Sequence, residues 1–102
     1  MSKEEIIAIL KSIKPHFQNK GIITLALFGS FNTNSSTIYS GIDIAIKKDQ
    51  NFVEKYGVYA YFDTIHELKS LLRKKLKREI DILDLDSSSP FLEEIKKDLT
   101  YV

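Results

Sequence analysis

A small α/β domain, with a mixed β-sheet and helices packed mainly on one face, is the fold class this sequence predicts. Amphipathic stretches of helical period alternate with three short apolar runs of strand character, in the order α-β-turn-β-α-β-α. The 102 residues, 43% apolar and 28% charged, suit a single domain over 1–102 with one core. No segment repeats, and no linker or low-complexity tract divides the chain.

Ser2 and Glu5 stand at capping-box spacing. Behind them Ile6, Leu10, Ile13 and Phe17 recur at helical period, which predicts an amphipathic helix from about Lys3 to Phe17. Pro15 either bends this helix or ends its regular part, and Asn19-Lys20-Gly21 reads as its stop signal. Ile22 through Phe28, apolar and rich in β-branched residues at its start, reads as a strand buried on both faces. A polar stretch from Asn32 to Thr37 follows. Ile42, Ile44 and Ile46 alternate with Asp43, Ala45 and Lys47, so the second strand has one apolar face. A long helix begins between Gly57 and Thr64 and runs to about Arg78, with Phe62, Ile65, Leu68, Leu72 and Leu76 as its buried stripe. Ile80 through Leu85 forms a third strand. Ser87-Ser88-Ser89-Pro90 then offers cap residues and an N1 proline for a last helix from Phe91 to about Asp98.

Composition excludes several classes of function. Fifteen Lys+Arg against fourteen Asp+Glu leave a net charge of +1, which excludes a polycation or an acidic tail but not a local basic patch. Without cysteine there is no disulfide, zinc–thiolate centre or thiol nucleophile. No apolar run is long enough to span a membrane, and Met-Ser-Lys-Glu-Glu is acidic too early for a signal peptide. The expected compartment is the cytoplasm.

The chemistry concentrates in Leu27-Phe28-Gly29-Ser30 and, ten residues on, Gly41-Ile42-Asp43-Ile44. A strand ending in Gly-Ser lets a phosphate approach the backbone, where N–H groups and a hydroxyl hold it. Positions 41 and 43 project from one face of the next strand, and carboxylates at both would clamp Mg²⁺. Asp81, set among Ile and Leu where an unpaired carboxylate is costly to bury, is the candidate for a third ligand in a site acting on phosphorus.

Gly-Ser, ten residues, Asp-x-Asp and a later Asp on an apolar strand form the signature of the polymerase β-like nucleotidyltransferase superfamily. The chain resembles its smallest members, the minimal nucleotidyltransferases (MNT), over roughly residues 5–102. The resemblance implies that Gly29 and Ser30 hold the triphosphate of ATP or another NTP. It implies that Asp43 and Asp81 bind Mg²⁺ and are the catalytic residues. It departs at Gly41, where the family carries its first metal aspartate, and at Asn32-Thr33-Asn34, where the family has small-Arg-Gly. Losing that Arg as well as the Asp favours a naturally degenerate member over a single altered position.

Two functions follow from the resemblance. The first is the MNT antitoxin partner of a HEPN ribonuclease toxin, with AMP transfer impaired by Gly41. The alternative is an active Mg²⁺-dependent enzyme that moves AMP from ATP onto a protein hydroxyl.

The remaining features have plainer accounts. Asp43 alone would read as a polar residue on a solvated strand face. Asp84 and Asp86 are expected at the exposed strand end. Lys69, Arg73, Lys74, Lys75, Lys77 and Arg78 form either a solvated helix end or a contact for RNA, a nucleotide tail or an acidic partner. In the aromatic group around Gly57, Phe62 is expected in the core and Tyr56 and Tyr59 at a partner contact. His16 and His66 receive no role, and Ser30 lacks the His/Asp support of a covalent nucleophile.

Overall fold

The computed structural model describes residues 1–102. Helix α1 (Lys3–Gln18) opens on the capping box: the Glu5 N–H donates to the Ser2 hydroxyl at 3.2 Å, and the Ser2 N–H donates to Glu5 Oε1 at 3.3 Å. Pro15 lies inside the helix without ending it, and Asn19 caps its C-terminus.

Strands β1 (Ile22–Phe28), β2 (Ile42–Lys48), β3 (Ile80–Asp84) and β4 (Thr100–Tyr101) form one sheet in the order β3-β2-β1-β4. β1 runs antiparallel to β2 and β4, whereas β2 and β3 are parallel. A parallel pair requires a crossover, and α2 (Phe52–Tyr56) with α3 (Val58–Leu76) supplies it. Helix α4 (Leu92–Lys96) leads into β4.

The two faces of the sheet have different work. Leu25, Leu27, Ile42, Ile44, Ile46 and Ile80 pack against the apolar stripes of α1 and α3 to form the main core. Ala26, Ala45, Leu85 and Leu92 form a small cluster on the other face, with Phe28, Leu83 and Leu99 against it. Alternation along β2 and β3 therefore puts Asp43 and Asp81 on the face away from α1 and α3.

Three sequence expectations need correction. Phe62 is 62% exposed instead of buried. The inward line of α3 is Thr64, Leu68, Leu72 and Leu76, and position 62 lies about 200° round the helix from Thr64. Thr64 is tolerated there because its hydroxyl donates to the Ala60 carbonyl at 2.8 Å. β1 is buried on both faces only at Leu25, Ala26 and Leu27, because a register shift between Ile22 and Thr24 leaves Ile23 exposed. Asp84 does not sit at an exposed strand end, since its side chain is only 12% exposed.

Asp84 ties three elements together. Lys48 Nζ donates to its Oδ2 at 2.8 Å and the Tyr61 hydroxyl at 2.6 Å, joining β2, β3 and α3. Lys48 also lies 5.1 Å from the Tyr61 ring centroid. Burial alone would raise the Asp84 carboxyl. The bonds from Lys48, Tyr61 and the Asp86 N–H, with the Lys48 charge, hold it below its ordinary value. The same burial and the neighbouring carboxylate push the Tyr61 hydroxyl well above the usual tyrosine range.

Because the fold holds the ionised carboxylate, this contribution is complete above the unfolded value of about 3.9 and is lost as pH falls through the lower folded value. Asp84→Ala should cost about 1–3 kcal/mol at pH 7, with a smaller penalty near pH 3, measured by denaturant unfolding at both pH values.

Candidate active site

Asp43 and Asp81 are direct partners in the β2–β3 register. Parallel neighbours lie about 4.8 Å apart and show the same face, so the two carboxylates project side by side. In the antiparallel pair Phe28 stands opposite Asp43, and β1 ends there, so Gly29 begins its turn against the Asp43 side chain. A Cβ on Gly29 would lie 2.1 Å from Asp43 Oδ2, and its φ of +78° is one that glycine alone adopts easily. The missing side chain makes the cradle in which the Asp43 carboxylate rests against the turn.

Gly29 also starts a single helical turn, its carbonyl accepting from the Asn32 N–H at 3.0 Å and the Thr33 N–H at 3.1 Å. Ser30 is the first residue of that turn. The Ser30 and Phe31 N–H groups and the Ser30 hydroxyl point to no acceptor within the chain and remain available to an anion. Gly29, Ser30, Asp43 and Asp81, spread over more than half the sequence, thus meet at one corner of the sheet.

Burial raises the Asp43 carboxyl above its ordinary value, and the Asp81 charge raises it further. Asp81 itself is exposed, so the expectation of a costly buried carboxylate at this position does not hold; its strand is apolar only on the other face. Two adjacent hard-oxygen donors beside free N–H groups fit one divalent cation, whose other positions substrate phosphates and water would fill. They do not make the closed set for two ions, because no third His, Cys, Asp or Glu side chain joins the pair in this arrangement. Asp84 is not a replacement: it lies on the helix-packed face, bonded to Lys48 and Tyr61.

At Gly41 a Cβ would stand 3.2 Å from the Glu79 carbonyl oxygen, so an aspartate there requires this backbone group, which accepts from the Ile42 N–H, to give by a few tenths of an ångström. The largest groove, about 690 Å³, lies at the far end of β2 around Lys47, Lys48, Asp49 and Gln50. A smaller cavity of about 200 Å³ adjoins Gly29 and is lined by Phe28, Glu94, Ile95 and Asp98. We assign the site to the acid pair and the turn, because chemistry on phosphorus needs donors and carboxylates together and the larger groove has no such turn.

Asn32, read from the sequence only as part of a polar loop that lacks the family Arg, has a structural task. It is buried, its Nδ2 donating to the Asp98 carbonyl at 3.0 Å and carboxylate at 3.1 Å, while its Oδ1 accepts from the Thr100 hydroxyl at 2.5 Å. The side chain thereby fastens the Gly29-Ser30 turn to the C-terminal segment. No spacing signal marks an asparagine for such a role. Arg73 and Arg78 of the basic stretch are also engaged. Arg73 pairs with Glu79 at 3.0 Å, and Arg78 donates to the Ser40 carbonyl at 2.9 Å beside the Phe31 ring. Lys74, Lys75 and Lys77 remain exposed.

Asn32→Ala strands buried polar partners, which should cost about 2 kcal/mol and lower Tm by at least about 8 °C in a thermal melt. Asp43→Asn should act the other way. A carboxyl whose folded value is raised stabilises the fold when protonated, and that stability is lost as pH rises through the folded value. Removing the charge should therefore raise Tm at pH 7 without divalent ions. Because Asp43 is only half-buried and Asp81 is exposed, solvent screening keeps the gain to about 0.5 kcal/mol, and the difference from the native chain should vanish below about pH 3.5.

The family described as polymerase beta nucleotidyltransferase matches residues 11–101. A Methanocaldococcus jannaschii protein named "Putative protein adenylyltransferase MJ1379" is 32% identical over 101 residues, covering 96% of this chain and 95% of that protein. Among solved structures, one described as a "putative minimal nucleotidyltransferase" superposes with a TM-score of 0.75 at 17% identity, over 98% of this chain and 95% of that one. A toxin-antitoxin crystal structure with AMP-PNP superposes with a TM-score of 0.61 at 23% identity, over 99% of this chain and 72% of the other. With a sheet of this topology and a Gly-Ser turn against an aspartate pair, the chain belongs to the polymerase β-type nucleotidyltransferase family.

Proposed function

We propose that this chain binds a nucleoside triphosphate at the Gly29-Ser30 turn and serves as the antitoxin partner of a HEPN ribonuclease toxin, with AMP transfer weakened by Gly41. The observation that carries the reading is the convergence of the turn with two, and not three, ligand carboxylates. The fold likeness to a toxin-antitoxin structure with AMP-PNP is what suggests a toxin as partner and an adenine nucleotide as ligand; that the toxin is a HEPN ribonuclease is part of the proposal.

In this reading the Ser30 and Phe31 N–H groups and the Ser30 hydroxyl hold the phosphate tail. Asp43 and Asp81 hold the divalent ion, Mg²⁺ under cellular conditions, which when bound supplies positive charge to the phosphate oxygens. Asp43, kept against the turn by the absent side chain of Gly29, orients the α-phosphate. Asp81, exposed on the neighbouring strand, faces the incoming acceptor and takes its hydroxyl proton as the oxygen attacks the α-phosphorus and pyrophosphate departs. With no carboxylate at position 41, less charge is stabilised in the transition state, a loss worth several kcal/mol at a phosphoryl centre. Binding of nucleotide and partner is left as the principal work.

A second reading, an active enzyme moving AMP from ATP onto a protein hydroxyl, draws on the adenylyltransferase name of the Methanocaldococcus jannaschii relative. One Mg²⁺ with two carboxylates and substrate phosphates is a complete coordination set, and this favours it. Co-expression with a HEPN ribonuclease separates the two. Rescue of growth, with a stable complex and an unmodified partner by mass spectrometry, is expected of the native chain. Added AMP on the partner from the native chain selects the enzyme, and absence of both rescue and complex removes the antitoxin assignment. Gly41→Asp should raise AMP transfer by at least about tenfold. Unchanged transfer would show that the missing carboxylate is not what limits the chemistry.

A further inference from the structure

The acids at Glu79 and Asp81, at the start of β3, point to a partial recovery of the cation ligation lost at Gly41. We propose that Glu79, the residue just before β3, swings in as a weaker third cation ligand beside Asp43 and Asp81, aiding cation binding without giving the fixed charge that an aspartate at 41 would supply to AMP transfer. The proposal rests on the reading of Asp43 and Asp81 as cation ligands.

The register carries the argument. Ile42 pairs with Ile80 and Asp43 with Asp81, so the next position back places Gly41 beside Glu79. Backbone contact agrees, because the Ile42 N–H donates to the Glu79 carbonyl at 2.9 Å. A Cβ on Gly41 would stand 3.7 Å from the Glu79 Cβ. Gly41 and Glu79 each stand one residue before their strands, and this Cβ distance, not strand alternation, sets them side by side. The space that an aspartate at 41 would occupy is therefore bordered by the stem of Glu79. Neighbouring strands lie about 4.8 Å apart, and glutamate has one more methylene than aspartate with which to reach across from β3.

At present the Glu79 carboxylate is turned toward Arg73, Oε1 lying 3.0 Å from Nη2. Both side chains are more than half exposed. An exposed ion pair of this kind contributes about 0–1 kcal/mol, so a cation held by Asp43 and Asp81 would draw Glu79 away from it at small cost. Arg73 thus acts as the resting partner of Glu79 when no cation is bound. That also gives the Arg73 end of the basic stretch a task within the chain.

Mn²⁺ alone, titrated into the full chain and followed by the loss of the free-ion paramagnetic signal, tests the proposal without any turnover. Glu79→Gln should weaken Mn²⁺ binding by at least about tenfold. Adding Gly41→Asp to it should restore affinity, and Arg73→Ala, which frees Glu79, should tighten it. Native affinity in Glu79→Gln, with binding abolished in Asp43→Asn, would overturn the role of Glu79 and leave the site itself standing. Equal weakening by Glu79→Gln and Arg73→Ala, without rescue by Gly41→Asp, would show that Glu79 serves only the ion pair, which also overturns it. If the native chain binds no Mn²⁺, or Asp43→Asn binds as well as the native chain, the cation site fails and the Glu79 role with it.

Discussion

Two carboxylates held side by side across a pair of parallel strands constrain much of this molecule. Asp43 and Asp81 repel each other, and the burial of Asp43 aggravates the repulsion. A fold that had no use for the pair would be more stable with an amide at either position. The strands cannot separate to relieve it, because Ile42, Ile44, Ile46 and Ile80 on the reverse face are locked into the core with α1 and α3. The core thus sustains the charge density at the acid pair, because the surrounding packing outweighs the local repulsion.

The contacts around this corner divide between holding it and leaving it open. Asn32 and its partners on Asp98 and Thr100 fix the turn from below. Arg78 secures the approach to β2 through the Ser40 carbonyl. Lys48, Asp84 and Tyr61 close the other end of the sheet. Asp81 is exposed and Asp43 half-buried against the turn, and the short α4 packs on this face through Leu92 against Ala26 and Ala45. The exposed aromatic side chains of Tyr56, Tyr59 and Phe62 lie at the end of α2 and the start of α3.

Most of the element order was legible because the periodicities are clean. The Ser2–Glu5 box, the isoleucine alternation in β2 and the leucine line of α3 each depend on local geometry that residue spacing records directly. Failures occurred where a neighbour distant in sequence decided the outcome. Phe62 has the hydrophobicity of a core residue, but the rotation of α3 is set by Leu68, Leu72 and Leu76, and Thr64 goes inward instead. Asp84 looks like a strand-end acid until Lys48 and Tyr61 reach it from 36 and 23 residues away. The two-residue β4 is too short to show any period and exists only because β1 offers an edge.

The site divides along the same line. By itself the amino-acid sequence determined the fold class, the projection of positions 41 and 43 from one strand face, and the absence of an acid at position 41. Those are matters of residue type and spacing along single strands, where alternation fixes which side chains share a face. The link of Gly29-Ser30 with Asp43 and Asp81 was an expectation drawn from the family resemblance. Only the tertiary structure decided that Asp43 stands directly beside Asp81, that Gly29 must lack a side chain for Asp43 to fit, and that Glu79 borders the gap at Gly41. These depend on the register of a parallel pair whose strands are joined through a long helical crossover. Local periodicity carries no information about register between strands so far apart, and the packing of the core sets it.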